Sequence, residues 1–180
     1  MVRYVALLRG INVGGNNIIR MDALRAAFES LGFSGVATYI QSGNVVFQTE
    51  AGPRAELTER IERALGSAFE YDSKIVLVTA DELAAAVIEA PSGFGSEPAR
   101  YRYDALFVKP PLTAREALAE VETNPVVDDV WAGTHVLYFR RLTALATRSR
   151  LSRIVGKPVY KSLTIRNWNT TKQLLAMLET

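Results

Sequence analysis

The chain contains no cysteine, and this absence excludes disulfide bonds, zinc–thiolate sites and cysteine nucleophiles. Histidine occurs once, so a serine–histidine site would have to use His135, and no G-x-S-x-G motif accompanies it. Two neighbouring acids, Asp128 and Asp129, would point to opposite faces of a strand and could not chelate together. The sequence therefore predicts no metal site, and it leaves open whether the protein is an enzyme, which residues would be catalytic and which cofactor it would use.

Long hydrophobic runs are also missing. The apolar residues 4–8 are closed by Arg9, and such a run is too short for a signal peptide or a membrane span. Of the 180 residues, 48% are hydrophobic and 22% are charged, which is typical of a globular rather than a disordered chain. We therefore expect a soluble, cytoplasmic protein without membrane attachment. Its oligomeric state is left open.

Charge is unevenly distributed along the chain. Residues 1–90 contain 8 Lys or Arg against 11 Asp or Glu, whereas residues 91–180 contain 13 against 8. Nine basic residues and no acidic residue lie between positions 140 and 172. This basic segment favours anionic partners such as phosphates or nucleic acid, although it is also compatible with an ordinary solvated surface.

The first half of the chain has a recognisable order of elements. Patterns of hydrophobic residues predict β-α-β-β-α-β over residues 1–90, with a third helix at the end, and this is the ferredoxin-like order. The residues Ser42-Gly43-Asn44 separate two runs of β-forming residues, which indicates a hairpin. Gly32 follows a helical pattern at the position where a C-terminal cap belongs.

The second half repeats this order. Its predicted elements are a strand at 103–109, a capped helix from Thr113, a hairpin around 133–134, a short basic helix at 148–155 and a strand at 158–165. Residues 91–102, rich in Gly, Pro and Ser, are predicted to be a linker, and a last helix is predicted at 168–178. The sequence thus predicts an α+β fold of two tandem ferredoxin-like halves, 1–90 and 103–180, plus a C-terminal helix.

The apolar positions of these elements form the predicted core. It comprises Val5, Leu7, Leu24, Phe28, Ile40, Val45, Phe47, Ile61, Leu65, Val76, Val78, Leu106, Val108, Val136, Tyr138 and Leu174.

A loop rich in glycine and asparagine joins the first strand to the first helix. Gly10 and Gly15 have the glycine spacing of a P-loop, but Asn16 and Asn17 stand where its lysine and Ser/Thr would be. The dinucleotide motif G-x-G-x-x-G is absent as well. Converging backbone amides and a helix N-terminus could still hold an anion beside Arg9. The alternative is a tight turn in which Gly and Asn accept positive φ.

Three segments carry a resemblance to a known family: LLRGINVGGNN, TYIQSGNVVF and IRNWNTTKQLL. In this order they resemble the DUF1697 family of bacterial proteins of unknown function, and the resemblance spans nearly the whole chain. It implies an α+β fold with ferredoxin-like repeats, and it implies no established activity, cofactor or catalytic residue. The three segments are rich in Arg, Asn, Gly, Thr and Gln, which core packing alone rarely requires.

We predict a ligand site where these three loops meet. Buried polar groups need hydrogen-bond partners, and three donor-rich loops can satisfy one another or a ligand. For the last loop the alternative is a helix N-cap, with Trp168 in the core. The predicted ligand-binding residues are Arg9, Asn12, Gly14, Gly15, Gln41, Ser42, Asn44, Arg166, Asn167, Trp168, Asn169 and Lys172.

Three functions follow from these observations. The leading hypothesis is binding of a small anionic or nucleotide-like ligand by loops 9–17, 41–44 and 166–172. The first alternative is a nucleic-acid-binding module that uses the basic segment 140–172. The second is a structural or oligomeric protein without a ligand.

Overall fold

The computed structural model describes residues 1–12, 15, 17–40 and 43–180. The predictions for Gly14, Gln41 and Ser42 lie outside these described residues. The chain forms two compact units: unit one comprises Met1–Asp81 and Leu174–Thr180, and unit two comprises Glu82–Gln173. Residues 91–102, predicted to be a linker, lie within unit two.

Unit one contains a four-stranded antiparallel sheet with the strand order β2-β3-β1-β4. Its elements are β1 (Val2–Arg9), α1 (Met21–Ser30), β2 (Ser34–Tyr39), β3 (Asn44–Thr49), α2 (Arg54–Phe69) and β4 (Lys74–Thr79). Helix α3 (Ala80–Ile88) follows β4, and its residues from Glu82 onward belong to unit two. Leu24 and Phe28 of α1 and Ile61 and Leu65 of α2 pack against one face of the sheet, around Phe47. Helical and strand periodicity therefore place the same apolar residues in one core.

Unit two contains a second four-stranded antiparallel sheet, with the order β6-β7-β5-β8. Its elements are β5 (Tyr101–Val108), α4 (Ala114–Glu120), β6 (Asp128–Ala132), β7 (Val136–Leu142) and β8 (Leu163–Asn167). Helix α5 (Trp168–Glu179) follows β8, and its residues from Leu174 onward belong to unit one. The strands occupy corresponding places in both sheets. The predicted α+β fold of two tandem ferredoxin-like halves with a C-terminal helix is confirmed.

The second half departs from the expected pattern between β7 and β8. Three 3-10 helices, Thr143–Arg148, Leu151–Gly156 and Pro158–Ser162, stand where the basic helix and the start of the last strand were predicted. Both of those local predictions are wrong. Gly156 is unfavourable inside both an α-helix and a β-strand. Pro158 lacks the N–H group that a strand or the interior of a helix would use. Short 3-10 turns accommodate such residues.

The predicted core is buried except at Ile40. The other predicted core residues are at most 6% exposed, whereas Ile40 is 49% exposed. Strand β2 ends at Tyr39, and Ile40 adopts a φ of 45°. The strand alternation that would have turned this side chain inward has therefore already ended. Within the described residues, no helix is both long and apolar enough to cross a bilayer.

Candidate functional site

The glycine loop of unit one is closed by its own asparagines. Asn12 Nδ2 donates to the Ile19 carbonyl at 3.1 Å, and Asn12 Oδ1 accepts from the Ile19 N–H at 2.8 Å. Asn17 Nδ2 donates to the Gly10 carbonyl at 2.9 Å. Both asparagines, Gly10 and Gly15 have φ between 48° and 78°. In the described residues of the loop, these contacts and angles are typical of a tight turn.

The end of β1 and the start of the glycine loop lie against Gly43, which precedes β3. The Leu8 N–H donates to the Gly43 carbonyl at 2.8 Å, and a Cβ on Gly43 would lie 2.7 Å from Ile11 Cδ1. Asn44 is completely buried, and its Nδ2 donates to the Tyr39 carbonyl at 2.9 Å. The described parts of the first two predicted loops thus meet within unit one, through backbone and apolar contacts.

The arginines of the predicted site have different surroundings. Arg9 is half-buried at the end of β1, opposite Lys74 of β4. Arg166 is buried in β8, and its Nη1 donates to Thr164 Oγ1 and to the Ile165 carbonyl, both at 2.9 Å. Burial lowers the pKa of Arg166 to about 10. Because this pKa is still far above neutral, Arg166 places a positive charge in the interior.

The last predicted loop forms the end of β8 and the first turn of α5. Asn167 Oδ1 accepts from the Thr170 N–H at 2.8 Å, which makes Asn167 the N-cap of this helix. Trp168 is 6% exposed, and Lys172 is exposed one turn further along. The cap interpretation therefore holds for Asn167, and the core interpretation holds for Trp168.

These residues adjoin a pocket in unit two, where β5 begins and β8 ends. Its volume is about 460 Å³. The residues of this pocket are Gly95, Pro98, Tyr101, Arg102, Tyr103, Asp104, Arg141, Asn167, Trp168 and Asn169. The predicted residues Asn167, Trp168 and Asn169 thus come together on one wall. We call this cavity the aromatic pocket.

Phe94 holds the aromatic wall of this pocket in place. Its ring makes edge contacts with Tyr103 at 4.9 Å, Trp168 at 5.0 Å and Tyr138 at 5.5 Å between ring centroids. The neighbouring Gly95 has a φ of 85°, and a Cβ there would lie 2.6 Å from Trp168 Cδ1. The segment predicted to be a linker therefore supplies part of the packing behind the pocket.

A buried ion pair forms the polar wall of the aromatic pocket. Asp104 is 8% exposed, and its Oδ2 lies 3.3 Å from Arg141 Nη2. In the part of the chain that the structure describes, neither Asp104 Oδ2 nor Arg141 Nε makes a hydrogen bond. Burial raises the pKa of Asp104, and the charges of Arg141 and Arg102 only partly offset this effect. Asp104 is also the register partner of Asn167, so the carboxylate lies beside the N-terminus of α5.

A smaller pocket of about 350 Å³ lies in unit one, between β3 and the end of α5. Arg3 lines it and donates from Nη1 to the Leu178 carbonyl at 2.6 Å. This contact caps the C-terminus of α5, which explains the presence of a cation there.

Contacts within unit two neutralise part of the positive charge of the basic segment 140–172. Four of its nine basic residues form ion pairs with acids from elsewhere in that unit. The pairs are Arg140 with Asp129, Arg141 with Asp104, Arg153 with Glu122, and Lys157 with Glu120 and Glu122. A fifth basic residue of the segment, Arg166, is buried. The absence of acids within the segment therefore does not produce a surface of nine free positive charges.

Among the described residues, no cluster of three histidines or acids is placed to hold a metal ion. Asp128 and Asp129 serve separate purposes. Asp128 Oδ2 accepts from the Asn124 and Arg150 N–H groups, whereas Asp129 pairs with Arg140.

The sequence reasoning missed most of the aromatic pocket. One available signal was Asp104, a charged residue inside the apolar strand YRYDALFV. Another was the alternation of Tyr101 and Tyr103, which places both rings on one face. Nothing local to Arg141 indicates that it pairs with Asp104, because this contact depends on the β5–β7 register.

Comparison with known proteins gives a family but no activity. The family model described as "Protein of unknown function (DUF1697)" matches residues 1–138. No curated protein matches the chain. Among solved structures, the conserved bacterial protein SP0830 from Streptococcus pneumoniae is 26% identical, with 98% of each chain covered and a TM-score of 0.81. That description names no ligand or reaction.

Proposed function

The chain belongs to the DUF1697 family, whose description assigns no function, and from the geometry of unit two we propose that it binds a small ligand with a flat ring and a negative charge. A nucleotide-like molecule has this combination. The observation that carries the proposal is the presence of aromatic rings, two arginines and a helix N-terminus around one pocket. The volume falls within the range of about 300–1,000 Å³ that is usual for small-molecule sites.

The ring of the ligand would contact the aromatic side of the pocket. Tyr101, Tyr103 and Trp168 line this side, and the Arg140 guanidinium lies 4.3 Å from the centre of the Tyr101 ring. A base that took the place of this guanidinium would gain about 1–3 kcal/mol from stacking. Phe94 fixes two of these rings from behind. A wall that is already ordered reduces the entropy cost of binding.

The negative charge of the ligand would be stabilised on the other side. Arg102 and Arg141 carry two positive charges, and the N-terminus of α5 adds a partial positive charge. The negative charge of Asp104 offsets only one of the two arginine charges. The local balance therefore favours an anionic group such as a phosphate.

A thermal-shift and calorimetric panel tests this proposal. Inorganic phosphate, ribose 5-phosphate, nucleosides and nucleoside monophosphates are compared at equal concentration. We expect the monophosphates to raise the melting temperature most, because only they contact both walls, and a ligand that binds the folded state stabilises it by RT ln(1 + [L]/Kd). A panel in which no ring-bearing anion stabilises the protein would contradict the proposal.

Two arginine variants provide a matched comparison. Arg102→Ala removes an exposed cation of the pocket, whereas Arg148→Ala removes an exposed cation elsewhere in unit two. We expect only the first to weaken nucleotide binding. The predicted contribution of Arg9 in unit one is tested in the same assay with Arg9→Ala.

The nucleic-acid alternative has less support from the structure. Its basis was the basic segment 140–172, and four charges of that segment are paired internally. Binding of a single small anion needs few unpaired cations. A small-ligand site therefore agrees better with the positive charge that is left after this pairing.

A further inference from the structure

The Tyr101 ring, which lines the aromatic pocket, is in contact with cations of the chain itself. The Arg140 guanidinium lies 4.3 Å from the centre of this ring, and the Arg100 guanidinium lies 5.0 Å from it. The face of the ring that Arg140 occupies is therefore open to a ligand only when this guanidinium moves away.

Arg140 is held in this place by a carboxylate and by a second ring. Its Nε and Nη2 both donate to Asp129 Oδ2, at 3.0 and 2.6 Å, and its guanidinium lies 5.3 Å from the centre of the Trp131 ring. The ion pair of Arg100, with Glu97, is 3.7 Å long and exposed. Of the two guanidinium groups beside Tyr101, that of Arg140 is therefore held more firmly.

Strand pairing assembles this cluster on one face of the second sheet. Arg140 lies opposite Tyr103 in the β5–β7 register and opposite Asp129 in the β6–β7 register. Directly paired side chains share a face of the sheet, as do side chains two residues apart in a strand. Tyr101 and Trp131 therefore lie on the same face as Arg140.

The ion pair that holds Arg140 is accessible to water. The side chains of Arg140 and Asp129 are 28% and 45% exposed, so both charged groups can be hydrated once the pair separates. Ion pairs of this kind contribute little to stability, and salt weakens them further. Moving the guanidinium off the ring is therefore a small cost that the stacking of a ligand can offset.

We propose that Arg140 is a removable cover on the Tyr101 ring, held there by Asp129, and that the ring of a ligand stacks on Tyr101 by displacing it. This inference rests on the proposed function and concerns the regulation of the same site. A guanidinium is planar and stacks on aromatic faces, so in the free protein Arg140 occupies the place that the ligand ring takes in the complex. The Asp129–Arg140 pair thereby sets the affinity, because a tighter pair weakens the binding of the ring.

Neutral nucleosides test this inference, because they have a flat ring and no phosphate for Arg140 to attract. Binding of adenosine, guanosine, cytidine and uridine is measured by calorimetry for the wild type, for Arg140→Ala and for Arg153→Ala. The last variant is the control, because it also removes an exposed ion pair, with Glu122 at 2.8 Å, but Arg153 does not line the pocket.

We expect Arg140→Ala to tighten binding of the preferred nucleoside by about two- to fivefold, since a cation–π contact of ordinary strength no longer competes with the ligand. Arg153→Ala should leave it unchanged. Unchanged or weaker binding to Arg140→Ala would overturn the inference and leave the proposed function standing. If neither the nucleosides nor their monophosphates bind the wild type or Arg140→Ala, the proposed function fails as well.

A second variant and a salt series provide a test that does not depend on the folding of Arg140→Ala. Asp129→Asn keeps Arg140 and both rings but removes the charge that holds the guanidinium, so it should also tighten nucleoside binding. Salt screens the ion pair, whereas a neutral nucleoside has no charge to screen. Nucleoside binding to the wild type should therefore tighten with salt more than binding to Asp129→Asn does. Equal affinities and equal salt dependence in these two proteins would overturn the inference.

Discussion

Gly95 has no side chain at the point where the Trp168 indole passes closest to the backbone. A Cβ at this position would lie 2.6 Å from Cδ1 and 2.8 Å from Nε1 of the indole. The backbone also has a φ of 85°, which residues with side chains rarely adopt. Glycine is thus required here both for space and for conformation.

Gly95→Ala is therefore expected to lower the free energy of unfolding by about 1–3 kcal/mol, as other overpacking substitutions do. Urea denaturation followed by tryptophan fluorescence measures the change. The control is Gly156→Ala, where the added Cβ meets no atom within 4 Å. If both variants have the same stability, the contact with Trp168 does not constrain this position.

The buried carboxyl of Asp104 makes stability depend on pH. Burial raises its pKa above the ordinary value of 3.8, so the folded state holds this proton more tightly than the unfolded state. The contribution of Asp104 to stability is therefore greatest below about pH 3.8 and falls as the pH rises through the raised pKa.

Asp104→Asn cannot titrate at this position, so the variant should not lose stability as the pH rises. We expect the stability of the variant relative to the wild type to increase as the pH is raised from about 3.8 toward neutral. Urea denaturation at a series of pH values measures this difference. If the stability of the variant relative to the wild type decreases as the pH rises, the charge of Arg141 has a larger effect on the pKa of Asp104 than burial has.

At the scale of elements, the first turn of α5 combines a structural and a candidate binding role. Asn167 caps the helix through the Thr170 N–H and also lines the aromatic pocket. The two roles can be separated because aspartate caps a helix as well as asparagine does.

Asn167→Ala should lower the free energy of unfolding by about 0.5–2 kcal/mol, because the cap is lost. Asn167→Asp should keep most of the stability but weaken binding of an anionic ligand, since it adds a negative charge to the pocket. Chemical denaturation and calorimetry distinguish the two effects. Equal loss of stability in both variants would contradict the assignment of the cap.

At the scale of the whole molecule, the net charge of +2 conceals extensive local pairing. The basic segment 140–172 obtains its carboxylate partners from positions 104–129, and β-strand pairing brings two of these positions next to it. Arg140 lies opposite Asp129 in the β6–β7 register. The linear charge pattern alone therefore overstates the positive surface.

We accordingly expect weak binding of random RNA and DNA, with a shallow dependence on salt. The slope of log K against log salt is about −0.9 for each phosphate neutralised in duplex DNA. Filter binding or fluorescence anisotropy between about 50 and 200 mM salt measures it. A slope of about −5 or steeper would instead favour the nucleic-acid alternative.

The sequence by itself determined the order of elements outside residues 143–162, most of the core and the ends of several helices. These features depend on residues close in sequence: the short apolar runs of β1 and β5, the helical spacing of Leu24 and Phe28, and the capping box of Thr113 and Glu116. Local periodicity and local hydrogen bonds were sufficient to predict them. Even the error at Ile40 is confined to the residue that follows a strand.

Only the tertiary structure decided which polar groups meet. Asn167 and Trp168 were predicted as site residues, but their proximity to Asp104 depends on the β5–β8 register, and that of Arg141 depends on the β5–β7 register. Phe94 was assigned to a linker because its neighbours are Gly, Pro and Ser, yet its ring packs against Trp168. Contacts between distant residues are set by strand pairing and core packing. The hydrophobic pattern of a strand indicates which side chains face the core, but it says much less about which strands lie next to it.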